Sequence, residues 1–274
     1  MVALERAGIP VEKYYASEID ENAIKISRSN YPDIIQVGDV TKISYKNGIL
    51  YTEYGDYEVG EIDIVMGGSP CQDMSSVNDE GKGLEGEKSG LFFQFKRIID
   101  EINPKYFLLE NVVPRKQCDK DKITETLGVE PVFINSADFS AQNRPRLYWA
   151  NFNINKPSET NNTTVMDIIE DKDDFKSEYP NWLNLKWGNK TRFDSLFDCN
   201  GKASCLTASM WKGQKASYTK NNKGQVHKFT PLECERLQTL PENYTACVSN
   251  TNRYKAIGNG WTVDVIAHIF SGLK

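Results

Sequence analysis

The sequence predicts an α/β fold in which helices cover both faces of an open, parallel sheet. Short apolar runs of strand character alternate with amphipathic runs of helical character up to residue 152. One apolar run, residues 62–66, leads into Gly67-Gly68-Ser69-Pro70-Cys71, a glycine-bearing loop that carries a cysteine. Acidic residues, Glu18 and Asp39, follow two earlier runs. Such sheets bind ligands at the carboxyl ends of their strands, so these loops predict a ligand site.

The helices follow from local signals. Gly8 suits the position after a short helix over residues 2–7, and Asp20 is an N-cap for a helix over residues 21–29. The next helix, residues 89–102, carries one apolar face and precedes Pro104. A further helix begins with a capping box at Thr230-Pro231-Leu232-Glu233. The last predicted helix runs over residues 262–270.

The strands are read from short apolar runs bounded by turn residues. The run that ends in Glu18 and the run before Gly38-Asp39 come first, and residues 62–66 form the third strand. A fourth leads into Glu110-Asn111-Val112. The predicted strands are residues 14–18, 34–37, 62–66, 106–109, 132–134 and 147–152.

Composition narrows the class of protein. The chain has 274 residues, of which 39% are hydrophobic and 26% charged, as in ordinary soluble domains. No apolar run approaches the ~20 residues that span a bilayer, and a charge pair at Glu5-Arg6 argues against a signal peptide, which predicts a cytoplasmic protein. Six cysteines without a Cys-x-x-Cys pair, and only two histidines, predict neither a metal site nor a disulfide framework.

Charge is divided unevenly along the chain. Residues 155–162 form a polar linker, and residues 176–228 then carry ten Lys or Arg against three acids, a net +7, which leaves −12 for the rest. Trp182, Trp187 and Trp211 lie among these lysines. A basic module on an acidic body predicts a surface that faces a polyanion, although a solvated lysine-rich loop explains the charge equally well. We therefore predict three parts, residues 1–154, 155–228 and 229–274.

Four short segments, taken in order, resemble the motifs of one family. They are Pro70-Cys71-Gln72, Glu110-Asn111-Val112, Gln142-x-Arg144-x-Arg146 and Gly258-Asn259-Gly260-Trp261-Thr262-Val263. The set resembles the cytosine-C5 DNA methyltransferases over nearly the whole chain, and its residues are most similar to those of their animal de novo subtype. The resemblance implies a Rossmann-like, S-adenosylmethionine-dependent sheet, with residues 155–228 as a small target-recognition domain and residues 229–274 returning to the catalytic domain.

The resemblance implies a mechanism. The thiolate of Cys71 adds to C6 of a cytosine flipped out of duplex DNA, and Glu110 holds or protonates ring N3. Arg144 and Arg146, with Gln142 in the same motif, fix the base carbonyl or a flanking phosphate. C5 then takes the methyl group of S-adenosylmethionine, which leaves S-adenosylhomocysteine, and loss of the C5 proton releases the thiol. A single cysteine on a loop is more often a small buried hydrophobe, so this role rests on the four segments together.

The resemblance also implies contacts to cofactor and DNA. Glu18 suits the ribose hydroxyls, Asp39 the adenine amino group and Val40 the adenine face. The cofactor site is completed by Ile19, Pro70, Asn259 and Trp261. The implied DNA contacts are Gln72, Ser75, Asn111, Ser209, Lys212 and Lys215. Neutralising the two lysines is expected to weaken DNA binding and to flatten its salt dependence.

One family feature is missing. Members open with a strand and a Phe-x-Gly-x-Gly turn, whereas this chain opens with a sequence that resembles the following helix. We expect unpaired strand edges beside the missing central strand, and weak binding of S-adenosylmethionine by these residues alone. A start placed too late, a partner chain that supplies the strand, or loss of cofactor binding would each explain it.

Several functions stay open at this stage. The first is a DNA methyltransferase of a restriction-modification, phage or comparable system, for which a cognate restriction enzyme is a possible partner. A catalytically inactive DNA-binding relative and an RNA cytosine-C5 methyltransferase are the others, and Gln72 after Pro-Cys favours DNA over tRNA.

Overall fold

A computed structural model describes residues 1–68, 90–158, 160–187 and 189–273. The helices are α1 (Val2–Ala7), α2 (Glu21–Asn30), α3 (Leu91–Ile102), α4 (Gln117–Leu127), α5 (Val165–Ile168), α6 (Pro231–Leu237), α7 (Asn250–Asn259) and α8 (Val263–Ser271). The strands are β1 (Tyr15–Ala16), β2 (Ile35–Gln36), β3 (Ser44–Lys46), β4 (Ile49–Thr52), β5 (Gly55–Glu58), β6 (Ile64–Gly68), β7 (Tyr106–Val112), β8 (Val132–Asn135), β9 (Pro145–Ala150), β10 (Lys186–Trp187), β11 (Lys190–Thr191), β12 (Tyr218–Lys220) and β13 (Val226–Lys228).

The main sheet has four strands in the order β6-β7-β9-β8. Strand β6 is parallel to β7, whereas β9 is antiparallel to both of its neighbours. The expectation of a fully parallel sheet is therefore wrong. Strand β9 follows β8 after the short segment 136–144, and so short a connection suits an antiparallel pair rather than a parallel crossover.

Strands β1 and β2 form a separate parallel pair. A cavity of about 570 Å³ lies between this pair and β6, with Ala16 on one side and Ile64 and Met66 on the other. Ile98 of α3 also lines it. Within the described residues, no strand pairing joins the two sheets.

The local signals that the sequence carries are present in the structure. Gly8 ends α1 in the left-handed conformation, and the Asp20 carboxylate caps α2 by accepting from two backbone N–H groups. The Thr230–Glu233 capping box opens α6. The meander of β3, β4 and β5 and helices α4 and α7 were not predicted, because their apolar periodicity is weak.

Two apolar layers hold the sheet. On one face α1 packs on α8, where Leu4, Ile269 and Phe270 meet Leu108 of β7. On the other face, Phe92 of α3 packs with a cluster that includes Trp149 of β9. Buried on both faces, β7 is the strand about which the rest of the sheet is built.

The basic segment folds into two short ribbons, β10-β11 and β12-β13, over a small core of Leu183, Leu196 and Val226. A larger cluster, which includes Met210 and Phe229, joins it to Leu237 of α6. Among the described helices, none combines the length and apolar character that crossing a membrane requires.

Candidate active site

Glu110 lies at the centre of the site. It sits near the carboxyl end of β7, in register with Gly68 of β6 and Tyr148 of β9, and is 8% exposed. Its Oε1 lies 2.7 Å from Arg146 Nε, and its Oε2 accepts a 3.1 Å hydrogen bond from Trp261 Nε1. Two segments distant in sequence thus fix both oxygens of one carboxyl group.

Gly68 brings the end of β6 against this carboxyl group. A Cβ at this position would lie 3.1 Å from Trp261 Nε1 and 3.2 Å from Glu110 Oε2, so a side chain here would press on both groups. Cys71 follows three residues later, a length of chain that spans at most about 10 Å. Pro70, Cys71, Gln72 and Ser75, predicted from the sequence, lie outside the described residues.

The charged pair at this site is shielded from water. The side chains of Glu110 and Arg146 are 10% and 11% exposed, and Arg146 Nη1 also donates to the Pro145 carbonyl. Burial, and after it the charge of Glu110, raise the pKa of the neighbouring Tyr148 phenol. A buried ion pair keeps its geometry only when further hydrogen bonds occupy its remaining donors and acceptors. The carboxyl group of Glu110 is therefore presented in one orientation.

Arg144 lies in a buried junction between two parts of the chain. It is 3% exposed, and its guanidinium donates to the carbonyls of Leu206, Gly258 and Gly260 at 3.0, 3.3 and 2.9 Å. Its Nη1 also lies 3.4 Å from Cys205 Sγ. These contacts join the basic segment to the turn before α8, and the contact of Arg144 with the base or a phosphate stays a prediction.

Gln142 belongs to the same junction. It is fully buried, donates to the Leu237 carbonyl and to Gln238 Oε1, and accepts from the Leu206 amide. Gln238, which was not predicted, in turn donates to the carbonyls of Ile257 and Gly260. A direct catalytic part for Gln142 likewise stays a prediction.

Asn111 is buried as well. Its side chain is 1% exposed, and its amide oxygen accepts from the Val112 amide at 2.8 Å. A direct contact of Asn111 with DNA would require this buried side chain to become exposed, and it stays a prediction.

Two of the residues predicted to contact the cofactor lie at the cavity between β1 and β6. Glu18 and Val40 line it, and the Glu18 carboxylate accepts from the amides of Ile19 and Asp20 at the start of α2. Asp39 accepts from the amide and hydroxyl of Thr41, which lower the pKa of its carboxyl group. The cavity volume, the apolar walls and a strand-end carboxylate fit a nucleoside cofactor.

The other cofactor-side residues are spread more widely. Ile19 is 74% exposed and Asn259 is exposed at the end of α7. Trp261 lines a smaller cavity of about 310 Å³, which shares Met66 with the larger one. Trp261 therefore lies between the cofactor side and Glu110.

The basic segment brings an exposed loop to the edge of the site. Ser209 hydrogen-bonds Gln214, and Lys212 and Lys215 are exposed. From the sequence, Trp211 was placed among these lysines, whereas Lys255, whose Nζ lies 5.9 Å from the Trp211 ring centroid, was missed.

The sequence is similar to a known protein family and to individual proteins over most of its length. The family model described as C-5 cytosine-specific DNA methylase matches residues 1–274. The type II methyltransferase M1.ScrFI of Lactococcus lactis subsp. cremoris is 31% identical over 290 residues, which cover 93% of this chain and 70% of that protein. M.HpaII of Haemophilus parainfluenzae, also a type II methyltransferase, is 29% identical over 299 residues, 92% of this chain and 80% of that protein.

Solved structures share the fold. The Entamoeba histolytica methyltransferase EhMeth superposes with a TM-score of 0.71 at 20% identity, over 100% of this chain and 94% of that one. The S. pombe Dnmt2 methyltransferase superposes with a TM-score of 0.65 at 18% identity, over 98% and 93%. At these identities the likeness establishes the α/β methyltransferase fold.

Proposed function

The chain belongs to the C-5 cytosine-specific DNA methylase family, and from this premise we propose how its residues divide the work of methylating DNA at cytosine C5. The enzyme uses S-adenosylmethionine as methyl donor. The observation that carries the division of roles is the buried Glu110 carboxyl group, held by Arg146 and Trp261 where β6 ends, three residues before Cys71.

Cys71 is the proposed nucleophile. Its thiolate forms a bond to C6 of the flipped cytosine, which breaks the ring conjugation and moves electron density toward C5 and N3. After methylation, loss of the C5 proton and elimination of the thiol restore the aromatic ring. A short connection to Gly68, which itself packs against Glu110, supports this role.

Glu110 is proposed to face N3 and to supply a proton or hydrogen bond to it as electron density rises there. Arg146 and Trp261 hold the carboxyl group in the required orientation, and Arg146 is the guanidinium we place closest to the base. Arg144, Gln142 and Gln238 are positioning residues, since their hydrogen bonds lie within the protein.

The proposed cofactor site is the cavity between β1 and β6. When bound, S-adenosylmethionine supplies an electrophilic methyl group on its sulfonium. Glu18 would hold the ribose hydroxyls, Asp39 the adenine amino group and Val40 the adenine face, with Ile19, Pro70 and Asn259 completing the site. Residues 155–228 are proposed as the target-recognition domain on a duplex DNA substrate, with Ser209, Lys212 and Lys215 among its contacts. Gln72 and Ser75 are the DNA contacts proposed for the catalytic domain.

The test is transfer of labelled methyl groups from S-adenosylmethionine to plasmid DNA, with tRNA as a separate substrate. We expect incorporation into DNA, mapped to cytosines by bisulfite sequencing, and none with Cys71→Ser. Incorporation into tRNA alone would favour the RNA methyltransferase. DNA binding without incorporation would favour the inactive relative.

A further inference from the structure

The loop between Met210 and Lys215 presents an exposed tryptophan beneath two cations. Met210 is 1% exposed and anchors the loop in the core, whereas the next residue, Trp211, is 40% exposed. Lys212 Nζ lies 5.2 Å and Lys255 Nζ 5.9 Å from the Trp211 ring centroid. The two lysines come from different elements, the loop itself and α7, so the arrangement is built by the fold.

Hydrogen bonds hold the loop in this shape. Ser217 Oγ donates to the Met210 carbonyl at 2.8 Å, and Ser209 Oγ donates to Gln214 Oε1 at 2.8 Å. Gly213 turns the chain with φ of 69°, and a Cβ there would lie 3.1 Å from the Tyr218 hydroxyl oxygen. The tryptophan is therefore displayed by a constrained turn.

The chain enters this loop from the wall of the candidate active site. Cys205 Sγ lies 3.9 Å from Arg146 Nη2. Thr207 packs so closely on α7 that a Cβ at Gly258 would lie 2.3 Å from its carbonyl carbon. Trp211 follows Cys205 by six residues, a length of chain that spans at most about 20 Å. The exposed ring thus lies within reach of the DNA that would enter the site.

Charge and ring chemistry indicate what covers this surface. Two ammonium groups near one exposed ring make a positive patch that a polyanion stabilises, and a π-face stacks on any nucleobase. Neither lysine gains much from the ring alone, since an exposed cation–π contact is worth about 0.5–1 kcal/mol. Both ammonium groups therefore stay available to phosphates.

We propose that Trp211 is a positioning residue that stacks on a base of the DNA substrate beside the target cytosine, while Lys212 and Lys255 contact flanking phosphates. This rests on the proposed function, because it assigns a role within the same DNA complex. Neither Trp211 nor Lys255 belongs to the four sequence segments on which the methyltransferase assignment depends.

The test compares binding of the whole chain to a short duplex that contains a site the wild-type protein methylates. Because Trp211→Ala removes the ring that would stack on one base, we expect DNA binding to weaken by about 5- to 150-fold. The slope of log affinity against log salt should not change. Trp211→Phe, which keeps a stacking face, should restore most of the affinity. Lys212→Gln and Lys255→Gln should each lower the slope of log affinity against log salt by about 0.9.

Phe133→Ala is the matched control, because Phe133 is also exposed, at 53%, but lies on β8 in the main sheet. DNA should also quench wild-type tryptophan fluorescence more than that of Trp211→Phe. Affinity of Trp211→Ala within twofold of wild type, in a protein that still unfolds cooperatively, would overturn the stacking role while leaving the proposed function intact. A wild-type protein that neither binds nor methylates DNA would instead overturn both.

Discussion

The acids on the two sides of the site are held in different ways. Glu110, on the base side, is buried and bound by side chains that arrive from β9 and from the turn before α8. Glu18 and Asp39, on the cofactor side, accept from backbone amides within two residues of themselves. The comparison indicates that base-side chemistry depends on long-range packing, whereas the cofactor-side acids are set by local turns. Four experiments test whether the acids on the two sides are held in these different ways.

The largest expected effect is on the base side. Glu110→Gln keeps the shape of the side chain but removes its acid function, so we expect methyl transfer to fall by about 10²- to 10⁴-fold. Binding of S-adenosylmethionine, measured by calorimetry, should change little. A variant that loses cofactor affinity as strongly as activity would break the division between the two sides.

The second change concerns the support beneath Glu110. Arg144→Met removes the donors to three buried carbonyls, and we expect the free energy of unfolding to fall by roughly 3 kcal/mol. Arg146→Met, the matched variant two residues away, should lower stability by a similar amount, because it leaves the buried Glu110 carboxyl group without its partner, and it should lower methyl transfer further than Arg144→Met does. Urea denaturation and methyl-transfer rates of both variants check this, and equal losses of activity at equal stability would contradict separate roles.

The third change lies on the cofactor side. Glu18 is the proposed acceptor for the two ribose hydroxyls of the cofactor. Because Glu18→Gln weakens this acceptor, we expect roughly tenfold weaker binding of S-adenosylmethionine. The midpoint of thermal unfolding should stay close to that of wild type, since only the local turn at Ile19 and Asp20 is affected. A large drop in the midpoint would show that this acid is packed like Glu110.

The smallest effect is on pH dependence. The amide and then the hydroxyl of Thr41 lower the pKa of Asp39 below its ordinary value of 3.8. A lowered folded pKa means that the carboxylate's contribution is present above the unfolded pKa and is lost only as the pH falls through the folded value. Cofactor affinity should therefore be flat from about pH 5 to pH 8 as far as Asp39 is concerned. A loss of affinity between these limits that Asp39→Asn abolishes would contradict this.

The same contrast explains what the sequence could predict. The caps at Asp20 and Thr230 depend on neighbours a few residues away and were predicted. The strands before Glu18 and Glu110 were also predicted, but the first is shorter than expected and the second continues to Val112. Residues 142, 144 and 146 share one side of an extended chain, which predicts a common role. Arg144 instead meets carbonyls 62 and 116 residues further along the chain, and no local pattern signals such partners.

The antiparallel β9 and the contact of Lys255 with Trp211 escaped prediction for related reasons. Strand direction depends on which partner the chain returns to, not on the apolar run itself. The second lysine over Trp211 comes from α7, 44 residues later in the sequence. Both features depend on tertiary packing.

One measurement tests the central claim, that Cys71 and the Glu110–Arg146 pair act together on one cytosine. The protein is incubated with S-adenosylmethionine and with duplex DNA in which the target cytosine carries fluorine at C5. Fluorine cannot leave as the C5 proton does, so the adduct persists after denaturation. The account predicts a covalent complex that maps to the peptide with Cys71 and forms far more slowly in Glu110→Gln. No complex, or one mapped to Cys205 beside Arg146, would contradict it.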